Sequence, residues 1–322
     1  GFPAMSIMIV LGATLRGSGD TRSPMIVAAV ANVLNVFLDY AMIYGEFGFP
    51  EMGAFGAALA TVVSRIVGSG IIIFLLFRNR KISMNRRPAR LSRWMIREIF
   101  SIGLPTSIEN LGFSTGVLVF ANILFIAGPQ AYAAHRIGIQ VESLSFMPAW
   151  GMGVAITAMV GIYNGANERR KAVGSVKQGW LIALLISSII GTTITIFPDL
   201  FISIFTNETS IVEAGRLPVR IIGLFQVVMG TDYAVTGALR GMGDTSFPMK
   251  SSLAAMWFIR LPVGFLLVKY FNMGLLGAWI GMMSDMAFRT FLKFRRFYSG
   301  KWEKTADAIQ SRSKNSIDNE SN

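Results

Sequence analysis

Long apolar runs alternate with short polar ones along nearly the whole chain. Eight of them, near 24–44, 53–77, 98–127, 131–163, 175–205, 211–239, 248–270 and 273–294, each hold the ~20 apolar residues that a helical bilayer crossing requires, and the longest are expected to include interfacial turns. Residues 1–15 are apolar and too short to span, and read as the tail of a further helix cut by the start of the sequence. A membrane barrel would instead show alternating segments of about ten residues, a pattern not seen here. The expectation is an all-α integral membrane protein with eight full spans and one partial span.

The polar connections alternate in charge. Those at 16–22, 78–97, 164–177, 240–250 and 293–322 hold 23 of the 30 Lys and Arg, whereas 45–52, 128–130, 206–220 and 269–274 hold three. The positive-inside rule makes the first set cytoplasmic and places the C-terminus inside. Eight basic residues fall in 78–97, which is expected to link two lobes over the anionic leaflet, with an amphipathic stretch at 91–100 resting in the interface. The domain reading is therefore 1–77, the linker 78–97, a second lobe over 98–296 and a polar cytoplasmic tail over 297–322, expected to be disordered from Thr305 on.

Composition fits that pattern: 52% hydrophobic residues and 15% charged exceed what a soluble core needs. The net charge of +12 would suit nucleic acid, but it lies in clusters between apolar runs, where membrane orientation explains it. No cysteine and one histidine exclude disulfides, thiolate nucleophiles and a histidine metal pair, and neither a Ser-His-Asp set nor a phosphate-cradling Gly-Lys-Ser run is visible. Enzyme chemistry, resident metals and cofactors are not expected.

One stretch occurs twice. Leu15-Arg16-Gly17-Ser18-Gly19-Asp20-Thr21-Arg22-Ser23-Pro24-Met25 returns 224 residues later at 239–249, with Arg240, Gly241, Gly243 and Asp244 repeating Arg16, Gly17, Gly19 and Asp20, and eight of eleven positions identical. Each copy reads as a structural helix–turn–helix joint. The Arg complements the negative end of the preceding helix, both glycines permit the turn, Asp or Thr caps the next helix and Pro sits in its first turn. A second echo, Gly53–Ala57 against Gly274–Ala278, supports duplication into two parallel halves, between which transporters place their cavities.

These motifs, with Gly103-Leu104-Pro105, Glu109-Asn110, Ala134-His135, Glu142 through Pro148, Arg260-x-Pro262 and Asp285-x-x-x-Arg289, resemble the multidrug and toxic compound extrusion (MATE) family. The resemblance implies twelve helices in two pseudo-symmetric six-helix lobes. On that count the chain begins near the end of helix 4, continues through helices 5–6 of the N-lobe and contains helices 7–12 of the C-lobe. It further implies a bacterial inner-membrane exporter of amphipathic, often cationic compounds, driven by inward sodium or proton flow through a cavity opening alternately to each side, and acting as a monomer among lipids without nucleic acid.

An ionisable group inside a span costs about 2.5–3.5 kcal/mol on insertion scales, so each is a functional candidate unless paired. Asn35 and Asp39 lie four apart on one helical face, with Ile259 and Val263 at the corresponding places 224 residues on. They resemble the family's N-lobe cation site, with Thr61 as partner on the next helix, and oxygen donors of this kind suit a proton or a transient sodium ion. Glu109 and Asp232 are the C-lobe coupling candidates. Sodium-coupled members place these acids where Gly112 and Met229 stand here, so both are displaced about one turn toward the cytoplasm.

Glu142, Asn110, Phe113 and Met147 are candidates for a substrate cavity, with Phe120 and Met152 as further soft wall. For Glu142 the competing reading is helix packing through its serine neighbours. Asp285 and Arg289 are placed to neutralise each other, Arg260 to anchor its lobe and His135 to make a local hydrogen bond rather than relay protons. A lipid-linked saccharide flippase of related fold is the alternative. It calls for a cationic cavity, whereas the spans set Arg65, Arg136, Arg260 and Arg289 against several acids.

Overall fold

The computed structural model describes residues 1–78, 93–303 and 307, with side chains from 96 onward in the second stretch except that of 98. All regular structure among the described residues is helical: α1 (Phe2–Gly17), α2 (Arg22–Tyr44), α3 (Gly53–Arg78), α4 (Arg93–Ile126), α5 (Pro129–Gly165), α6 (Arg169–Ile196), α7 (Pro198–Ser203), α8 (Thr209–Gly241), α9 (Ser246–Ala255), a π turn (Met256–Arg260), α10 (Leu261–Lys269) and α11 (Gly274–Tyr298). Most of the expected linker, 79–92, and most of the tail, 304–306 and 308–322, lie outside the described residues. The chain divides into two compact units, Gly1–Arg90 and Leu91–Asn322.

Six helical stretches among the described residues are long and apolar enough to cross a membrane: α2, α3, Ile99–Ile126 of α4, α5, α6 and the run Ser246–Lys269 through α9, the π turn and α10. The expected count was eight. The other two, α8 and α11, have spanning length, 33 and 25 residues, and the C-terminal unit buries Asp232 of α8 and Asp285 and Lys293 of α11. The run expected at 175–205 is not one helix. It stops at Ile196, and α7 restarts at Pro198, whose ring suits a first helical position but not an interior one.

In the N-terminal unit, α2 packs along α3 and α1 against both, around Leu15, Val27, Ile72 and Leu76 at one end and Leu38, Met42 and Ala60 at the other. Large side chains on the opposite faces, such as Val33 and Phe74, are exposed in a way that suits lipid contact.

In the C-terminal unit α8 is the axis, packed between α5 and α6 with α11 beside it. Small residues let the backbones touch. A Cβ on Gly237 of α8 would fall 2.3 Å from Gly153 O of α5, and one on Gly223 would fall 2.7 Å from Gly191 O of α6. A larger cluster around Leu124, Ile194, Ile222, Ala278 and Trp279 fills one end, and Ile156, Val176, Leu239 and Met242 fill the other. Trp302, which falls in the stretch read as polar tail, is buried in the latter, stacked on Phe297 and donating to Phe297 O at 2.9 Å.

Both copies of the repeat form the same joint. Asp20 N–H donates to Leu15 O, and Asp244 N–H to Leu239 O, each at 2.9 Å. Only the second glycine needs its freedom for the turn, with φ of +87° at Gly19 and +85° at Gly243. The first glycine ends the helix, correcting the expectation that both serve the turn. Nothing lies within 4 Å of a Cβ on Gly17, whereas one on Gly241 would fall 2.7 Å from Thr157 O of α5. Asp20 accepts from the Ser23 N–H and hydroxyl at 3.0 and 2.7 Å. Asp244 accepts more weakly from Phe247 N–H, at 3.4 Å, and is held by Arg296 at 2.9 Å.

Candidate functional site

In the N-terminal unit, Asn35 and Asp39 stand one turn apart on α2, both half-buried. Asn35 Nδ2 and Asp39 Oδ1 are shielded from solvent and have no hydrogen-bond partner among the described residues. That is a costly arrangement, and its unmet donor and acceptor can take a ligand. Thr61 on α3 is exposed, and its hydroxyl donates back to Ala57 O at 3.0 Å. No hydrogen bond joins it to Asn35 or Asp39 among the described residues, so the structure brings together two of the three expected members.

The C-terminal unit buries an ionic network that begins at the π turn. Arg260 ends that turn, 6% exposed, and its Nε donates to Asp285 Oδ2 at 2.6 Å. Asp285 is fully buried. Arg289 Nη1 is 3.9 Å from Asp285 Oδ1, so Arg260 and not Arg289 is the principal partner of Asp285, a correction to the expected local pair. The anchor expected of Arg260 is therefore a buried ion pair from the π turn to α11. A π turn takes one residue more than an α turn. At the plain offset of 224 Ile259 stands opposite Asn35, and Arg260, the next residue, ends the π turn.

Two cavities open beside this network. The first, about 370 Å³, is walled by Phe113, Phe120, Phe146, Tyr233 and three methionines, 229, 282 and 286. Its charged members are Glu142, Arg136, Arg260 and Arg289. Among the described residues, Glu142 is the one acid of this unit's buried network whose carboxylate has neither an ion pair nor a hydrogen bond, although Arg260 and Arg289 act on it electrostatically. Its serine neighbours are occupied within α5, with Ser145 donating to Glu142 O at 2.8 Å and Ser143 to Gln140 O at 2.7 Å. The carboxylate thus belongs to the cavity wall.

The second cavity, also about 370 Å³, is polar. Glu109, Asn110, Thr157, Asp232, Thr236, Arg240, Arg289 and Lys293 line it, together with Phe113 and Trp150. Glu109 and Asp232 therefore do share one space, but each already holds a cation. Arg240 Nη2 donates to Glu109 Oε2 at 2.7 Å, and Lys293 Nζ donates to Asp232 Oδ1 and Oδ2 at 2.9 and 3.2 Å. Thr290 Oγ1 lies 3.3 Å from Asp232 Oδ1, and Arg289 Nε 3.6 Å from Oδ2. At Gly112, where the resemblance expects the first acid of a sodium site, a Cβ would fall 2.3 Å from Leu253 Cδ2, so that leucine would have to move to admit a side chain. Met229, at the second place, is buried in the wall of the first cavity.

Three expectations change here. Met147 is 60% exposed and lines neither cavity, and Met152 packs into the core around Ile156 and Leu239, so Phe113 and Phe120 alone of the proposed soft wall face a cavity. His135 makes no hydrogen bond among the described residues: its Nδ1 is buried without a partner, and its ring lies edge-on between Phe120 and Trp279. The charge count that favoured acids omitted Arg240, treated as a helix-end residue, and Lys293, assigned to the cytoplasmic connection. A readable signal for Lys293 existed, because Asp285, Arg289 and Lys293 are spaced by four on one face of α11.

The MatE family model matches residues 105–266. The chain is 53% identical over 315 residues to the "Probable multidrug resistance protein NorM" of Thermotoga maritima, covering 98% of this chain and 68% of that protein. It is 26% identical to the "Probable multidrug resistance protein YoeA" of Bacillus subtilis, over 94% of this chain and 66% of that one. The fold is similar to a crystal structure of a MATE in complex with MaL6, with a TM-score of 0.85 and 23% identity over 96% of this chain and 68% of that one. The eukaryotic MATE transporter AtDTX14 gives a TM-score of 0.80 and 19% identity over 92% of this chain and 66% of that one. The chain thus spans about two thirds of the length of the proteins it resembles. A family model over half the sequence and a relative identical at more than every second position, on a multi-pass helical membrane fold, place this chain in the MatE, or multidrug and toxic compound extrusion, family.

Proposed function

We propose that the protein is a secondary exporter of amphipathic cationic compounds, working by alternating access and driven by inward sodium or proton flow in a bacterial inner membrane. The observation that carries this reading is Glu142, a carboxylate with no ion pair among the described residues on a wall rich in aromatic rings and methionine side chains, where Arg260 and Arg289 face Asp285 and Asp232 and Arg136 is the remaining charged member. Aromatic faces and a carboxylate attract an organic cation together, and methionine adapts to varied shapes. The names of the relatives, which refer to multidrug resistance, support the same class. They do not favour a saccharide-lipid headgroup. Asp39 and Asn35 are the coupling pair in this reading, because each carries a buried polar atom without a partner.

The test is ethidium efflux from a pump-deficient bacterial strain producing the protein, under imposed sodium or proton gradients. Asp39→Asn is expected to insert normally and to lose gradient-driven efflux. Glu142→Gln is expected to lower efflux of ethidium at least tenfold while sparing neutral substrates. Unchanged efflux in the first variant removes Asp39 from coupling, and unchanged ethidium handling in the second removes Glu142 from the substrate wall.

A further inference from the structure

A buried carboxylate needs a compensating cation, and that cation is either mobile or attached to the chain. Asp232, 5% exposed, has the attached kind: the Lys293 ammonium, 2% exposed, spans both of its oxygens at 2.9 and 3.2 Å. Thr290 adds a hydrogen bond at 3.3 Å, and Arg289 stands 3.6 Å away. The lysine is delivered by the face of α11 that also carries Asp285 and Arg289. The neighbouring acids are occupied as well, Glu109 by Arg240 and Asp285 by Arg260. A hard ion such as sodium needs several oxygen donors at once. At Asp232 it would meet a carboxylate already spanned and an ammonium in near contact, in a medium where like charges repel strongly. The residues expected to form a sodium site in this unit therefore do not fit one.

We propose that Lys293 is a tethered cation occupying the coupling-ion place on Asp232, so that this carboxylate binds no sodium until the lysine is removed. The proposal rests on the reading of the chain as a cation-coupled exporter, and it makes Lys293 a residue that sets which ion the C-terminal unit can use. A purely structural ion pair would predict something different on removal of the lysine: a destabilised unit with no new response to sodium.

The experiment is thermal unfolding of the purified chain in detergent, in sodium chloride against choline chloride at equal ionic strength. Every sample carries Asp39→Asn, to silence the N-terminal unit. With Lys293 present, the two salts are expected to give the same midpoint. Lys293→Met is expected to gain a sodium-specific rise of several degrees that grows with sodium concentration, as ligand linkage requires, and to lose it again when Asp232→Asn is added. Lys293→Gln, neutral and still able to donate to Asp232, serves if the Met variant does not fold. A sodium-specific rise with Lys293 in place that Asp232→Asn abolishes overturns the proposal, as does a folded Lys293→Met or Lys293→Gln variant indifferent to sodium. Because binding is read without transport, failure of dye export would overturn the exporter reading and leave this result standing.

Discussion

Arg260 and Asp285 illustrate the residue scale. Removing one partner of a buried ion pair leaves an uncompensated charge and costs about 3–5 kcal/mol, whereas replacing both by apolar residues of similar volume is often close to neutral. Arg260→Met is therefore expected to lower the unfolding midpoint sharply, and Arg260→Met with Asp285→Leu to recover most of the loss, as measured by thermal unfolding in detergent. Equal loss in single and double variants would mean that Arg260 acts through its packing on Phe113 and Phe120, whose rings lie 5.3 and 5.8 Å from its guanidinium carbon. The acids were legible one by one, since an ionisable residue inside an apolar run is conspicuous. Their partners were not. Glu109 pairs with Arg240, 131 positions away, and Asp232 with Lys293, 61 away; the spacing by four from Asp285 and Arg289 marks the face of Lys293 but not which acid it meets.

At the scale of elements, the seam between α5 and α8 decides how the C-terminal unit holds together. Gly237 and Gly153 meet backbone to backbone, so Gly237→Ala must push the helices apart, at about 1–3 kcal/mol for overpacking. Gly174→Ala in α6, where nothing lies within 4 Å of the new Cβ, is expected to stabilise by up to about 1 kcal/mol through helix propensity. Comparing the two midpoints checks the seam, and equal behaviour would remove it. Periodicity and length predicted nearly all the helices. They allowed a turn within the longest runs without placing the break at Phe197–Pro198, and they missed the π turn at 256–260, because both sit inside apolar runs long enough to hide them. The π turn matters for function, since it delivers Arg260 to the network.

At the scale of the whole molecule, the alternation of basic connections predicts an orientation testable without any substrate. A fluorescent reporter fused after Asn322 is expected to fluoresce in the cytoplasm, and a phosphatase fused within 206–208 to be active outside; the reverse pattern would overturn the assignment. The six apolar stretches follow from hydropathy alone. The same reading placed spans at 211–239 and 273–294, where α8 and α11 stand with Asp232, Asp285 and Lys293 buried inside the unit.

The sequence by itself determined the class of protein, the extent of most helices and the repeated joint, because these depend on hydropathy, proline and glycine acting over a few neighbouring residues. It also marked Asp39, Glu109, Glu142 and Asp232 as exceptional. Only the tertiary structure decided which of these acids are already neutralised. Lys293 spans Asp232 and Arg240 holds Glu109, while Glu142 faces its cavity without an ion pair. Charge compensation in a low-dielectric interior depends on separations of a few ångströms between residues far apart in the chain, and those separations exist only once the helices have packed.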